Sequence, residues 1–85
     1  NITFQKYSVE TYSLTSDVNH DIFGSYKPTI SWCSAHCIQN LGESCKSFGF
    51  NEKTGKCMVS TGPVFPLCDG YGDLSENDHL YSSGG

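Results

Sequence analysis

The sequence predicts a small α+β domain in which a single helix packs on a small antiparallel sheet and disulfide bonds staple the two together. Three observations support this fold class. The chain has only 85 residues, and so short a chain is marginally stable from its core alone. It carries five cysteines, which small secreted domains use as crosslinks. One helical stripe of apolar residues is followed directly by two short segments in which apolar residues alternate.

The first predicted strands lie in the N-terminal part of the chain, where aromatic and β-branched residues are interspersed with polar ones. The apolar positions there are Phe4, Tyr7, Val9, Tyr12 and Leu14. Residues 16–28 are mostly polar, contain Gly24 and end at Pro28, so we expect a loop in this region.

A helix is predicted to begin after this loop, with Thr29 or Ser31 as its N-cap. Apolar residues then recur at intervals of three and four, which places them on one face of the helix. They are Ile30, Cys33, Cys37 and Leu41. Gly42 follows the last of them and suits a helix end that needs a positive φ.

A β-hairpin is predicted after the helix. Phe48 and Phe50 alternate on the first strand, Cys57 and Val59 alternate on the second, and the polar sequence NEKTG connects the two strands. The following stretch, TGPVFPLCDGYGDLSEND, is rich in Gly, Pro and Asp and is predicted to be a long loop. HLYSS, at residues 79–83, is the expected closing strand.

The cysteines of the helix and hairpin are interpreted as structural crosslinks. Zinc sites and thioredoxin-like centres typically use C-x-x-C, whereas this helix carries C-x-x-x-C. Cys33 and Cys37 diverge on one helical face, so neither bonds the other and each can reach a different strand. Two pairings remain: Cys33–Cys57 with Cys37–Cys45, or Cys33–Cys45 with Cys37–Cys57. The short connection after Leu41 favours the first pairing.

The spacing C-x3-C-x7-C-x2-F-x-F-x6-C-x-V resembles the core of the PAN/apple domain family. The resemblance implies a helix cradled by a curved antiparallel sheet, with helix and sheet joined by the nested pairing favoured above. It also implies a single domain over residues 1–85, with its core at 29–60 and its terminal strands near 4–12 and 79–83.

Cys68 departs from the pattern of this family. Full apple modules have a third disulfide that ties their termini together, and this chain has no N-terminal cysteine to form it. An odd cysteine in a secreted protein indicates either intermolecular pairing or an unpaired thiol. Because apple-type modules form dimers, some of them disulfide-linked, the resemblance favours intermolecular pairing of Cys68. The alternative is a buried, inert thiol.

The composition disfavours several classes of partner. Nine acidic residues stand against five lysines and no arginine, and arginine is the residue that recognises phosphate in bidentate fashion, so we expect no nucleic-acid partner. No apolar stretch of 18 residues appears, so we expect no membrane insertion. Asn1 begins an N-x-[ST] acceptor site, which makes it a candidate for glycosylation and agrees with a secreted, extracellular protein.

No motif for a catalytic nucleophile or a metalloprotease is present, so we expect no enzymatic activity and no cofactor or metal. The acidic residues between 69 and 78 do not follow the EF-hand spacing. The function expected is therefore protein–protein contact in an extracellular assembly, with other proteins or with a second copy of the chain. Alternatives are a carbohydrate-binding module or a small secreted effector or inhibitor. The candidate binding surface consists of Tyr26, Trp32, Val64, Phe65, Leu67 and Tyr71.

Overall fold

One helix and a five-stranded antiparallel sheet form the centre of the fold, which confirms the predicted α+β class. The structure is a computed structural model and describes residues 3–14, 20–22, 28–67 and 74–83. The elements in chain order are β1 (Gln5–Tyr7), β2 (Tyr12–Ser13), β3 (His20–Ile22), α1 (Ile30–Leu41), a 3-10 turn (Gly42–Ser44), β4 (Ser47–Asn51), β5 (Cys57–Ser60), β6 (Phe65–Pro66) and β7 (Asp78–Ser82).

The main sheet has the strand order β1-β7-β4-β5-β3, with every neighbouring pair antiparallel. The last described strand, β7, therefore lies between β1 and β4, and the first described strand, β1, forms one edge of the sheet. A separate two-stranded ribbon is formed by β2 and β6, in which Ser13 is paired with Phe65.

The helix begins and ends where the sequence predicts. Thr29 is the N-cap, and its Oγ1 accepts a hydrogen bond of 3.1 Å from the backbone N–H of Trp32. Gly42 has a φ of 58°, a conformation that side chains with a Cβ rarely adopt, and its N–H donates to the carbonyl of Ile38. Cys33 and Cys37 are fully buried on the face that packs against β4 and β5.

The core lies between α1 and one face of the sheet. On this face Phe48 is directly opposite Val59, and Phe50 is directly opposite Cys57. The Phe48 ring is also covered by the ring of Tyr81, which is stacked on it at a centroid distance of 5.1 Å. Four half-cystines complete this cluster, so aromatic packing and crosslinks occupy the same small volume.

The opposite face of β4 carries small residues, and this allows another part of the chain to approach closely. Ser47 and Gly49 lie on that face, and a Cβ added to Gly49 would be 3.2 Å from Cδ1 of Leu14 and 3.3 Å from Cε of Met58. Leu14 directly follows β2, so the end of this strand is held against the back of the sheet.

Two stretches that the sequence predicts to be loops contain strands. His20–Ile22 is β3 and pairs with β5, and Phe65–Pro66 is β6. Both strands are two or three residues long, and neither shows enough alternation to be recognised. Their conformation is set by the backbone of the strand beside them, which local sequence does not reveal.

Candidate binding surfaces

Two buried disulfides attach the helix to the elements that follow it. Cys33 is bonded to Cys57 on β5, and Cys37 is bonded to Cys45 just before β4, with Cα–Cα distances of 5.5 and 5.6 Å. All four residues are fully buried, and no thiolate among them is left to bind a metal. The helix is thereby fixed to strand β5 at one turn and to the segment leading into β4 at the next turn.

The first candidate surface is the outer side of the helix around Trp32. Its indole ring is half-buried, lies edge-on to Phe50 at 6.5 Å and stacks on the ring of His36 at 5.6 Å. Trp32 is therefore packed against the core on one side and forms a continuous ring surface with His36. Further along the same helix, the large apolar residue Ile38 is 39% exposed.

The second candidate surface is the β2–β6 ribbon. Within the described part of the chain its two strands pair only with each other, so no third strand extends the ribbon. Val64, Phe65 and Leu67 are all half-buried, although they belong to an apolar segment. The N–H of Leu67 donates to the carbonyl of Thr11 at 2.9 Å, which fixes the end of the ribbon against the β1–β2 turn.

The same turn also lines a groove that the sequence analysis did not identify. It has a volume of about 610 Å³ and is lined by residues 6–10 together with Leu74, Glu76, Asp78 and His79. These two segments are more than sixty positions apart in the chain, and the pairing of β1 with β7 brings them together.

Tyr7 connects the groove with the ribbon. Tyr7 is one of the residues that line the groove, and its ring meets the ring of Tyr12 on β2 edge-on at 5.0 Å. Tyr7 is therefore both a lining residue of the groove and a neighbour of β2, whereas no residue of β2 or β6 lines the groove.

The carboxylate of Asp78 organises the far wall of the groove. Its Oδ2 accepts from the backbone N–H of Ser75 at 2.7 Å and from the Ser75 hydroxyl at 3.1 Å, and its Oδ1 accepts from the Asn51 amide at 3.2 Å. Within the described ranges these partners are all neutral. Beside it, Nε2 of His79 lies 3.3 Å from a carboxylate oxygen of Glu52.

Several residues predicted to be functional lie outside the described residues, and their roles stay predictions. They are Asn1, Tyr26, Cys68 and Tyr71. Within the described part of the chain, no group of three or more His, Cys, Asp and Glu residues is arranged to hold a metal ion. The one described α-helix has 12 residues and is too short to cross a membrane, which needs about 20.

The fold and its crosslinks define a small, disulfide-stapled α+β domain. A comparison with family models matches residues 3–80 to the PAN domain, and the chain belongs to this family. PAN domains are generally non-catalytic modules that bind proteins or carbohydrates, and those with disulfides are typically extracellular. No curated protein and no solved structure matches the chain significantly.

Proposed function

We propose that this PAN domain is a secreted, non-catalytic module that makes protein–protein contacts in an extracellular assembly. The observation that supports this most directly is the β2–β6 ribbon, where Val64, Phe65 and Leu67 stay half-buried beside a two-stranded sheet with no third described strand. Apolar side chains that a domain leaves partly exposed at one place are typical of contact sites. The two buried disulfides agree with an oxidising compartment.

Cys68 extends this proposal because it directly follows Leu67 in the sequence. A thiol next to an apolar contact site would be brought close to the partner whenever the contact forms. We therefore propose that Cys68 forms an intermolecular disulfide, either with a second copy of the chain or with another subunit.

The proposal is tested on protein secreted from eukaryotic cells, which also reports whether Asn1 carries a glycan. Electrophoresis and intact-mass measurement without reductant should show a covalent dimer or an adduct with another subunit. Adding reductant should convert either form to the monomer. Cys68→Ser should abolish the covalent form. Phe65→Ser should reduce the mass measured by light scattering, whereas Ile38→Ser, a matched change at an exposed apolar residue on the helix, should not.

The same measurements can also contradict the proposed assembly role. If the wild-type protein is monomeric at every concentration, has an unpaired Cys68 and captures no subunit, the proposed assembly role is wrong. Thermal unfolding of Phe65→Ser must stay cooperative, because a misfolded variant would also lose its contacts.

One observation favours carbohydrate as a second class of partner. The stacked rings of Trp32 and His36 present a half-exposed surface on which the apolar face of a sugar could pack. Binding to a glycan array that His36→Ala weakens and Ile38→Ser leaves unchanged would support this function. An array with no saturable binding would exclude it for the glycans represented.

A further inference from the structure

The groove between the β1–β2 turn and the segment before β7 has both an apolar and an acidic part. Tyr7, Val9 and Leu74 supply apolar surface, and all three are half-buried rather than covered. The ring of Tyr7 is held by its edge-on contact with Tyr12, so this part of the groove is preformed. A preformed apolar cleft with a few polar groups at its edge is the usual form of a binding site.

The charges around the groove are unbalanced. Three carboxylates line it, from Glu10, Glu76 and Asp78, and Lys6 is the one lysine among the lining residues. Glu10 and Glu76 are exposed, whereas Asp78 is buried and accepts hydrogen bonds from neutral groups of the described chain. The lining residues therefore carry an excess of negative charge, in a chain whose net charge is −4.

We propose that this groove binds a segment of a protein partner that presents a lysine or arginine side chain next to an apolar side chain. The inference rests on the proposed function as a protein-contact module and specifies the chemistry of the partner. The methylene groups of the basic side chain would pack on Tyr7 and Leu74, while its charged end would lie near Glu10 and Glu76. An aromatic ring beside a cation contributes further attraction.

The choice of a basic segment follows from charge complementarity. An acidic peptide, a sulfated glycan or a nucleic acid would meet three carboxylates and be repelled. A neutral apolar segment would fill the groove but would provide no positive charge near its carboxylates. A segment with both a basic and an apolar side chain would contact the apolar part of the groove and also pair with its carboxylates.

The experiment uses the whole chain labelled with ¹⁵N and three probe peptides: acetyl-Leu-Lys-Leu amide, acetyl-Leu-Gln-Leu amide and acetyl-Leu-Glu-Leu amide. Titration with the lysine peptide should shift the amide resonances of residues 6–10 and 74–79 in a saturable manner. The glutamine peptide should bind more weakly, and the glutamate peptide weakest of the three. Raising the salt concentration from about 0.1 M to about 1 M should weaken binding of the lysine peptide, because the Debye length falls from about 10 Å to about 3 Å.

Variants that remove a negative charge from the groove and variants that remove a positive charge should have opposite effects on binding. Glu76→Gln or Glu10→Gln should weaken binding of the lysine peptide by about two- to fivefold, the range expected for one exposed ion pair. Lys6→Gln should strengthen it by a similar factor. Glu43→Gln and Lys53→Gln are matched control variants, because these residues are exposed and lie outside the groove; they should change the affinity little.

The proposal is overturned if the three peptides shift the same resonances to the same extent, if the shifts lie elsewhere, or if none of them binds. It is also overturned if Lys6→Gln and Glu76→Gln change the affinity in the same direction. These failures are distinct from failure of the assembly role, since the ribbon variant Phe65→Ser tests that role without the groove.

Discussion

Leu14 and Gly49 lie so close together that a Cβ on the glycine would be 3.2 Å from Cδ1 of the leucine. Gly49 is at the centre of β4, which is the middle strand of the five, and the buried Leu14 directly follows β2. The absence of a side chain at one position of the sheet is therefore what allows the N-terminal segment to cover its back face.

Gly49→Val should lower the free energy of unfolding by about 1–3 kcal/mol, because the added methyl groups overpack a filled site. Urea unfolding measures the change. Leu14→Ala alone should also destabilise, but the double variant should lose less than the sum of the two single variants, since truncation of Leu14 makes room for the valine. Strict additivity would show that the two side chains do not compete for the same space.

The two disulfides should differ in their contribution to stability. In the loop-entropy model, the bond between Cys33 and Cys57, which are 24 positions apart, contributes about 3.5 kcal/mol, and the bond between Cys37 and Cys45, 8 positions apart, about 2.6 kcal/mol. Replacement of each pair by alanine, followed by urea unfolding, tests the order. All four residues are fully buried, so the cavities left behind are comparable. A larger loss for the shorter loop would contradict the entropic explanation.

Thr29→Ala should destabilise the domain by about 1 kcal/mol, because the N–H of Trp32 loses the side-chain acceptor that caps the helix. Thr29→Ser is the matched control, since it keeps the hydroxyl and should stay close to the wild type. Thermal unfolding followed by circular dichroism checks both variants. If the alanine variant were as stable as the wild type, a hydrogen bond from water would replace the capping hydrogen bond without loss of stability.

Asp78→Asn should also destabilise, by about 1–3 kcal/mol, although it is nearly isosteric. The carboxylate accepts from donors on both of its oxygens, from Ser75 on one and Asn51 on the other. An amide has only one oxygen, so its NH₂ group would face one of these donors. The variant should also alter the amide resonances of residues 74–79; an unchanged spectrum and stability would exclude a structural role for this charge.

The helix and the hairpin after it could be predicted because their signals are local. Thr29, Gly42 and the apolar spacing between them specify a helix without reference to the rest of the chain, and Phe48 and Phe50 alternate as a strand requires. The ribbon and the groove could not be predicted in this way. Phe65 adopts an extended conformation beside Ser13, more than fifty positions away, and such pairing is decided by the assembled fold.

The candidate binding residues also divide into those that the sequence reveals and those that only the assembled fold brings together. The apolar segment around Phe65 stands out in the sequence, and the structure shows it half-buried on the ribbon. Glu10 and Glu76 do not stand out, because exposed glutamates are common on any surface. Their placement around one groove depends on the pairing of β1 with β7. The signal that could have revealed it is the prediction of terminal strands at both ends of the chain, had their adjacency been considered.

That pairing also determines how the domain responds to mechanical tension. Gln5 lies opposite Ser82, so the polypeptide enters and leaves the sheet at the same point. A force that separates the two ends would peel β1 from β7 one hydrogen bond after another rather than shear all of them at once. Both crosslinks lie between residues 33 and 57, and neither carries this load. Under tension, the wall of the groove would open first while the stapled helix and hairpin stayed intact.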